Sequence, residues 1–312
     1  MKKLRRLLSV MLVALFVITG CSIEGQNKDA DKKEVSQEEK AKDGDIKIGV
    51  SLSTLNNPFF VSIREGVEEV AQNENVETVI TDAQNDSSTQ NNQVEDLITQ
   101  GVDLIVINPV DSTAISTSVQ KANEANIPVI CVDRKSDEGE LVSFIASNNV
   151  EGGKLAGEYI LEKVGENDEV IQLEGIPGAS STRERGEGFT EATDGKINLL
   201  ASQTANFDRA EGMTVMENLL QAHPDVKAVF CQNDEMALGA SEAVKASGKD
   251  VTIVGFDGND DAIKAVEEGM LSATVAQKPQ EMGKLAIETA LKYLKGEQVE
   301  EQVDSPLELI KK

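Results

Sequence analysis

Short runs of β-branched and other aliphatic residues recur along this chain at intervals that leave room for one helix each, and they fall into two series. The first is Ile46–Leu52, Thr78–Thr81, Leu104–Ile107, Val129–Val132 and Leu141–Ala146. The second is Glu169–Leu173, Asn198–Ser202, Ala228–Cys231, Thr252–Phe256 and Ser272–Ala276. Amphipathic stretches such as Pro58–Gln72, Thr89–Gln100, Val150–Val164 and Met236–Ser247 lie between them. Apolar strands that alternate with helices form parallel sheets covered on both faces. The pattern therefore predicts an α/β protein of two similar, doubly wound parallel-sheet lobes. A length of 312 residues suffices for two such cores.

The polar residues gather where these strands end. The first strand leads through Ser53 into Asn56-Asn57-Pro58-Phe59-Phe60, the third ends at Asn108-Pro109 and the fourth at Asp133-Arg134. In the second series the sixth strand leads towards Arg183 and Arg185, the eighth ends in Gln232-Asn233-Asp234, the ninth in Asp257 and the tenth in Gln277. A single Asn or Asp in a loop is ordinary turn chemistry. Bidentate groups at strand ends in both halves are harder to ascribe to turns, because open α/β sheets bind ligands outside the carboxyl ends of their strands. Asn offers a donor and an acceptor, Asp accepts twice and Arg donates a planar fork. Two Asp (Asp133, Asp257) balance two Arg (Arg134, Arg185), so the ligand between the lobes need carry no charge. Phe59, Phe60 and Phe207 are three of only eight Phe, and their faces suit the C–H faces of a sugar ring.

Composition removes several alternatives. The chain carries 55 Asp+Glu against 30 Lys+Arg, a formal net charge of -25, which opposes a nucleic-acid backbone as partner. A single histidine, His223, stands before a proline at a helix end and is a poor catalytic base. No G-x-G-x-x-G follows the first strand and no P-loop sequence occurs, so neither a dinucleotide nor a nucleotide cofactor is expected. The run Asp257-Gly258-Asn259-Asp260-Asp261 is acidic enough for calcium, but its Gly comes too early for an EF-hand loop, and no metal is expected. Gly152, Gly153 and Gly157 have the wrong spacing for a phosphate loop and fit close helix packing. Cys131 and Cys231 lie inside apolar strands in separate halves, where a thiol behaves as a small hydrophobe.

Residues 1–20 read as a signal peptide, with Lys2, Lys3, Arg5 and Arg6 ahead of an apolar run from Leu7 to Ile18. About a dozen apolar residues is too short a run to span a bilayer. It ends in Ile18-Thr19-Gly20-Cys21, which resembles the lipobox of bacterial lipoproteins and implies acylation of Cys21. Residues 21–44 are polar and rich in Lys, Glu, Asp and Gln, the composition of a flexible tether.

The segments VSLSTLNNPFFVSIREG, LIVINPVDS, IPVICVDRKS, GASSTRERGEGF, NFDR, AVFCQNDEMALGA and VGFDGNDDA resemble the ribose-binding receptors of the periplasmic binding protein family. The resemblance runs from about Asp45 to near the C-terminus. It implies a non-enzymatic solute receptor of a sugar ABC importer, a monomer that captures D-ribose between its lobes and delivers it to a permease, and it leaves open a chemotaxis receptor as a further partner. It places the stacking aromatics at Phe59, Phe60 and Phe207 and the hydroxyl-binding residues at Asn57, Asn108, Asp133, Arg134, Arg185, Asn233, Asp257 and Gln277, with Ser53 at the pocket edge. Lobe one is then 45–147 plus 278–307 and lobe two 148–277 plus 308–312, joined by a three-segment hinge. With the lipobox, the resemblance implies an exported receptor held by lipid on the outer face of the cell membrane. Other ligands within the same class are allose, another pentose or a furanosyl signal. A regulator of the LacI type shares the core, but would need a basic helix-turn-helix where this chain has its apolar leader.

Overall fold

The computed structural model describes residues 46–312. The expected signal peptide, Cys21 and the tether lie outside the described residues. The first series builds β1 (Lys47–Leu52), α1 (Pro58–Glu74), β2 (Glu77–Asp82), α2 (Ser87–Gln100), β3 (Leu104–Ile107), α3 (Ser116–Glu124), β4 (Val129–Val132) and β5 (Ser143–Ser147). The second begins with α4 (Asn149–Lys163) and continues through β6 (Glu169–Glu174), α5 (Ser180–Thr193), β7 (Asn198–Thr204) and α6 (Arg209–Ala222). After these come β8 (Ala228–Cys231), α7 (Asp234–Ser247), β9 (Thr252–Asp257), α8 (Asp260–Glu268) and β10 (Ala273–Ala276). The chain closes with α9 (Pro279–Leu294), β11 (Gln302–Ser305) and β12 (Glu308–Lys311).

Two six-stranded sheets result, ordered β2-β1-β3-β4-β5-β11 and β7-β6-β8-β9-β10-β12. The expected ten strands are twelve among the described residues. The two extra ones, β11 and β12, are edge strands of only four residues, with Val303 in the first and Leu309 and Ile310 in the second as their apolar side chains, too few to make a strand pattern of their own. β11 runs parallel to β5, while β12 runs antiparallel to β10. The chain therefore passes between the sheets three times: at Asn148 after β5, at Gln277–Lys278 after β10, and between Ser305 and Glu308.

Strands buried on both faces carry the core. β3, β4 and β8 have no exposed residue, and their side chains alternate between apolar clusters on opposite faces of each sheet. The helix that follows the first strand of each sheet packs tightly against a helix that has just crossed over. α1 meets α9, and a Cβ on Gly66 would lie 2.0 Å from the Gln280 carbonyl oxygen. α5 meets α4, and a Cβ on Gly153 would lie 2.2 Å from the Arg185 carbonyl oxygen. Only glycine permits backbones this close. Gly153 and Gly157 are thus packing residues of the α4–α5 contact.

Helix starts are written in polar side chains. Asn57 Oδ1 accepts from the Phe59 N–H and caps α1, with Pro58 in the first turn. Asn233 Oδ1 accepts from the Met236 N–H and caps α7. Helix α5 has no such cap of its own, because Ala179 stands at that position.

Candidate functional site

The carboxyl ends of the two sheets face each other, and a narrow cleft lies between them. Asn57, Phe59, Phe60, Asp133 and Arg134 line it from one lobe, and Arg185, Phe207, Asn233 and Asp257 from the other. Each of the nine is at most 7% exposed. Four charges buried to this degree are costly unless paired and hydrogen-bonded.

The carboxylates are held from behind by the remaining three residues singled out in the sequence. The Ser53 hydroxyl donates to Asn108 Oδ1 at 2.6 Å, and Asn108 Nδ2 donates to the Val132 carbonyl at 3.1 Å and to Asp133 Oδ2 at 3.2 Å. Gln277 Nε2 donates to Asp257 Oδ1 at 2.9 Å. Ser53, Asn108 and Gln277 therefore stand behind the cavity wall and orient its carboxylates. Asn57 and Asn233, expected to offer both a donor and an acceptor, have Oδ1 engaged in helix caps. Asn233 Nδ2 also reaches the Phe207 carbonyl at 3.3 Å.

The cations are fixed equally firmly. Arg134 Nη1 donates to the Pro109 carbonyl at 3.1 Å, and its guanidinium lies 5.1 Å from the Phe60 ring centroid and 5.0 Å from that of Phe207, in the opposite lobe. Arg185 Nε donates to Asn149 Oδ1 at 2.9 Å and Nη1 to the Gln232 carbonyl at 2.6 Å, over the Phe256 ring at 3.8 Å. Its fork approaches Asp257 Oδ1 at 3.6 Å and, across the lobe boundary, Asp133 Oδ1 at 4.0 Å. Asn149 and Phe256 were missed in the sequence, although each adjoins a flagged position: Asn149 follows the hinge residue Asn148, and Phe256 precedes Asp257.

Burial pushes the Arg134 guanidinium down to about 10, with Asp133 opposing the shift. Burial also lifts the Asp257 carboxyl well above its ordinary range, against the pull of Arg185. Asp133 Oδ1 and Arg134 Nε are buried without a hydrogen-bond partner among the described residues, as is Gln277 Oε1. Unpaired buried atoms of this kind are uncommon and mark strain or a ligand-facing role. Strain is visible as well: Asp133, Phe207 and Asp257 hold φ of 64°, 60° and 121°. Such angles cost a non-glycine residue about 1–3 kcal/mol each and collect at ligand clamps.

A second set of contacts joins the lobes away from the cavity. The Ser112 N–H donates to the Gly178 carbonyl at 2.9 Å, the Ser180 N–H to Ser112 Oγ at 3.1 Å, and the Lys135 N–H to Ser180 Oγ at 3.1 Å. Arg183 does not reach the cavity; its Nη2 donates to Asp137 Oδ1 at 2.9 Å.

The pattern of the periplasmic binding protein domain matches residues 48–298. The ribose import binding protein RbsB of Bacillus subtilis is 48% identical over 312 residues, covering 98% of this chain and 99% of that one. The protein of the same name from Escherichia coli is 52% identical over 267 residues, 85% of this chain and 90% of its own. Among solved structures, an ABC transporter solute binding protein from Bacillus halodurans with bound myo-inositol superposes with a TM-score of 0.82 at 34% identity, covering 87% of this chain and 96% of that one. A periplasmic solute binding protein from Actinobacillus succinogenes with bound D-allose gives 0.79 at 30% identity, covering 85% and 97%. With the domain pattern spanning most of the chain and relatives near half identity over nearly its full length, this chain belongs to the periplasmic binding protein family.

Proposed function

We propose that this protein is a sugar receptor that captures D-ribose between its two lobes and delivers it to an ABC permease. The observation that carries the reading is the cavity itself, where Asp133 and Arg134 from one lobe meet Asp257 and Arg185 from the other, with phenylalanine rings from both. A sugar hydroxyl donates to a carboxylate while accepting from a guanidinium, so one small polyol ties both lobes together. The balance of charge suits a neutral guest. Relatives at 48% and 52% identity that carry the name ribose import binding protein favour ribose among the sugars.

Binding works as a clamp. The sugar binds the closed arrangement better than the open one and shifts the population by that difference alone. Moving from mostly open to mostly closed takes about 5.5 kcal/mol of preference. Hydrogen bonds to charged groups contribute about 1.5–3 kcal/mol each, so a few contacts to Asp133, Arg134, Arg185 and Asp257 are enough. Titration calorimetry with D-ribose tests the reading. Asp133→Ala is expected to weaken binding by about 10- to 150-fold, the equivalent of one charged bond. Unchanged affinity would remove Asp133 from the site. Allose and myo-inositol belong in the same titration series, because structural neighbours hold them.

Export and anchoring belong to the same reading: cleavage before Cys21 and acylation of its thiol would tether the lobes through residues 22–44. No described helix is long and apolar enough to cross a membrane. Labelled palmitate is expected to be incorporated into the wild type and not into Cys21→Ser, and an unlabelled wild-type protein would refute the anchor.

A further inference from the structure

Asp234 is a carboxylate at 0% exposure, next to the cavity but not lining it, and no salt bridge to it occurs among the described residues. A carboxyl group in that position, protonated or charged, is expensive to bury, and an apolar residue would cost less unless the carboxyl has a task. Its place in the first turn of α7 supplies some compensation from the helix N-terminus. The rest comes from two groups that belong to other elements. Asp234 Oδ2 accepts the Asn259 N–H at 2.8 Å, and Oδ1 accepts the Thr274 hydroxyl at 2.7 Å.

Those two groups flank Asp257 on both sides. Asn259 closes the turn after β9, in which Asp257 and Gly258 hold φ of 121° and 73°. Thr274 sits on β10, paired with Gly255 of β9, three residues before Gln277, the residue that donates to Asp257 Oδ1. The carboxylate of Asp234 is seated directly on β9: a Cβ on Gly255 would lie 2.3 Å from its Oδ1. One side chain thus grips the turn that strains Asp257 and the strand that leads to its orienting amide.

We propose that Asp234 is a positioning residue for sugar binding: it touches no sugar, and it sets affinity by holding the β9–α8 turn so that Asp257 faces the opposite lobe. The inference rests on the sugar-receptor reading above. The test is a double-mutant cycle by titration calorimetry with D-ribose on Asp234→Ala, Asp257→Ala and the double variant, with Asp234→Asn as the conservative replacement. Asp234→Ala is expected to weaken ribose binding by about tenfold, of the order of one hydrogen bond to a charged group. Asp234→Asn keeps an acceptor for the Asn259 N–H and is expected to restore affinity to within about threefold. In the Asp257→Ala background the loss of Asp234 is expected to change nothing further.

Equal losses in both backgrounds, or wild-type affinity in Asp234→Ala, would overturn the inference while leaving the receptor reading intact. Wild-type affinity in Asp257→Ala would instead remove Asp257 from the site and take the inference with it. If Asp234→Ala does not fold, Thr274→Val takes its place. It removes one of the two grips at nearly constant volume, and a loss of about twofold or more confined to the Asp257 background supports the proposal, whereas no loss or an additive one refutes it.

Discussion

Replacing Ser112 with alanine removes one oxygen atom from the lobe boundary. Helix α5 begins without a cap of its own, and the N–H of its first residue, Ser180, is received by Ser112 Oγ from the other lobe at 3.1 Å. Ser112 is 0% exposed and Ser180 4%, so no water reaches that N–H while the lobes are together. A capping oxygen is worth about 0.5–2 kcal/mol, and the loss falls on the closed form alone, because in an opened form water serves the same N–H. Since sugar binds the closed form, that free energy passes into affinity, and Ser112→Ala should weaken ribose binding by about 2- to 30-fold. The nearby Arg183–Asp137 pair is 47% and 38% exposed, and an exposed pair contributes only about 0.2–1 kcal/mol. Asp137→Asn should therefore shift affinity by less than about fivefold, and less again at high salt. Calorimetry gives the affinities, and thermal unfolding with and without ribose shows which form is affected. Wild-type ribose affinity in Ser112→Ala, or an equal loss of stability in the sugar-free and sugar-saturated protein, would refute this role of Ser112.

Three further outcomes are expected. Burial lifts the Asp234 carboxyl from 3.8 to about 7, so between those values the folded state holds a proton that the unfolded state has released, and its contribution to stability falls as pH rises through that window. Thermal unfolding of the sugar-free protein from pH 5 to 8 should show this slope, and Asp234→Asn should reduce it. Gly153→Ala would place a Cβ 2.2 Å from the Arg185 carbonyl oxygen, prising α4 from α5 at a cost of about 1–3 kcal/mol and displacing Arg185. A urea midpoint equal to the wild type would refute it. Cys131 and Cys231 are free and fully buried, and burial raises both thiols, Cys131 to about 12. A thiol reagent should modify them only at the rate of unfolding.

The apolar β-branched runs were legible to within a residue or two, because a strand buried on both faces announces itself: Leu104–Ile107, Val129–Val132 and Ala228–Cys231 are strands at the expected bounds. β11 and β12 were not, since an edge strand of four residues with only one or two apolar side chains takes its identity from its neighbour. In the cavity the polar side chains at strand ends were legible because both halves repeat the placement. Ser112, Asn149 and Asp234 were not. Each looks like ordinary turn or helix-start chemistry, and its partner lies between 25 and 68 residues away in sequence. The expected two-faced use of Asn57 and Asn233 also yields to a local demand, the cap of the helix each precedes.

The strand order has a consequence for how the molecule comes into being. Lobe one acquires α9 and its sixth strand, β11, only after all of α4–β10 has been made, and β12 completes the other sheet later still. Neither half can be finished before most of the other has been made, so the usual one-domain-at-a-time order of maturation is denied to it. Long-range pairings of this kind also make folding slow. A chain built this way keeps both sheets open at one edge until β11 and β12 have been made.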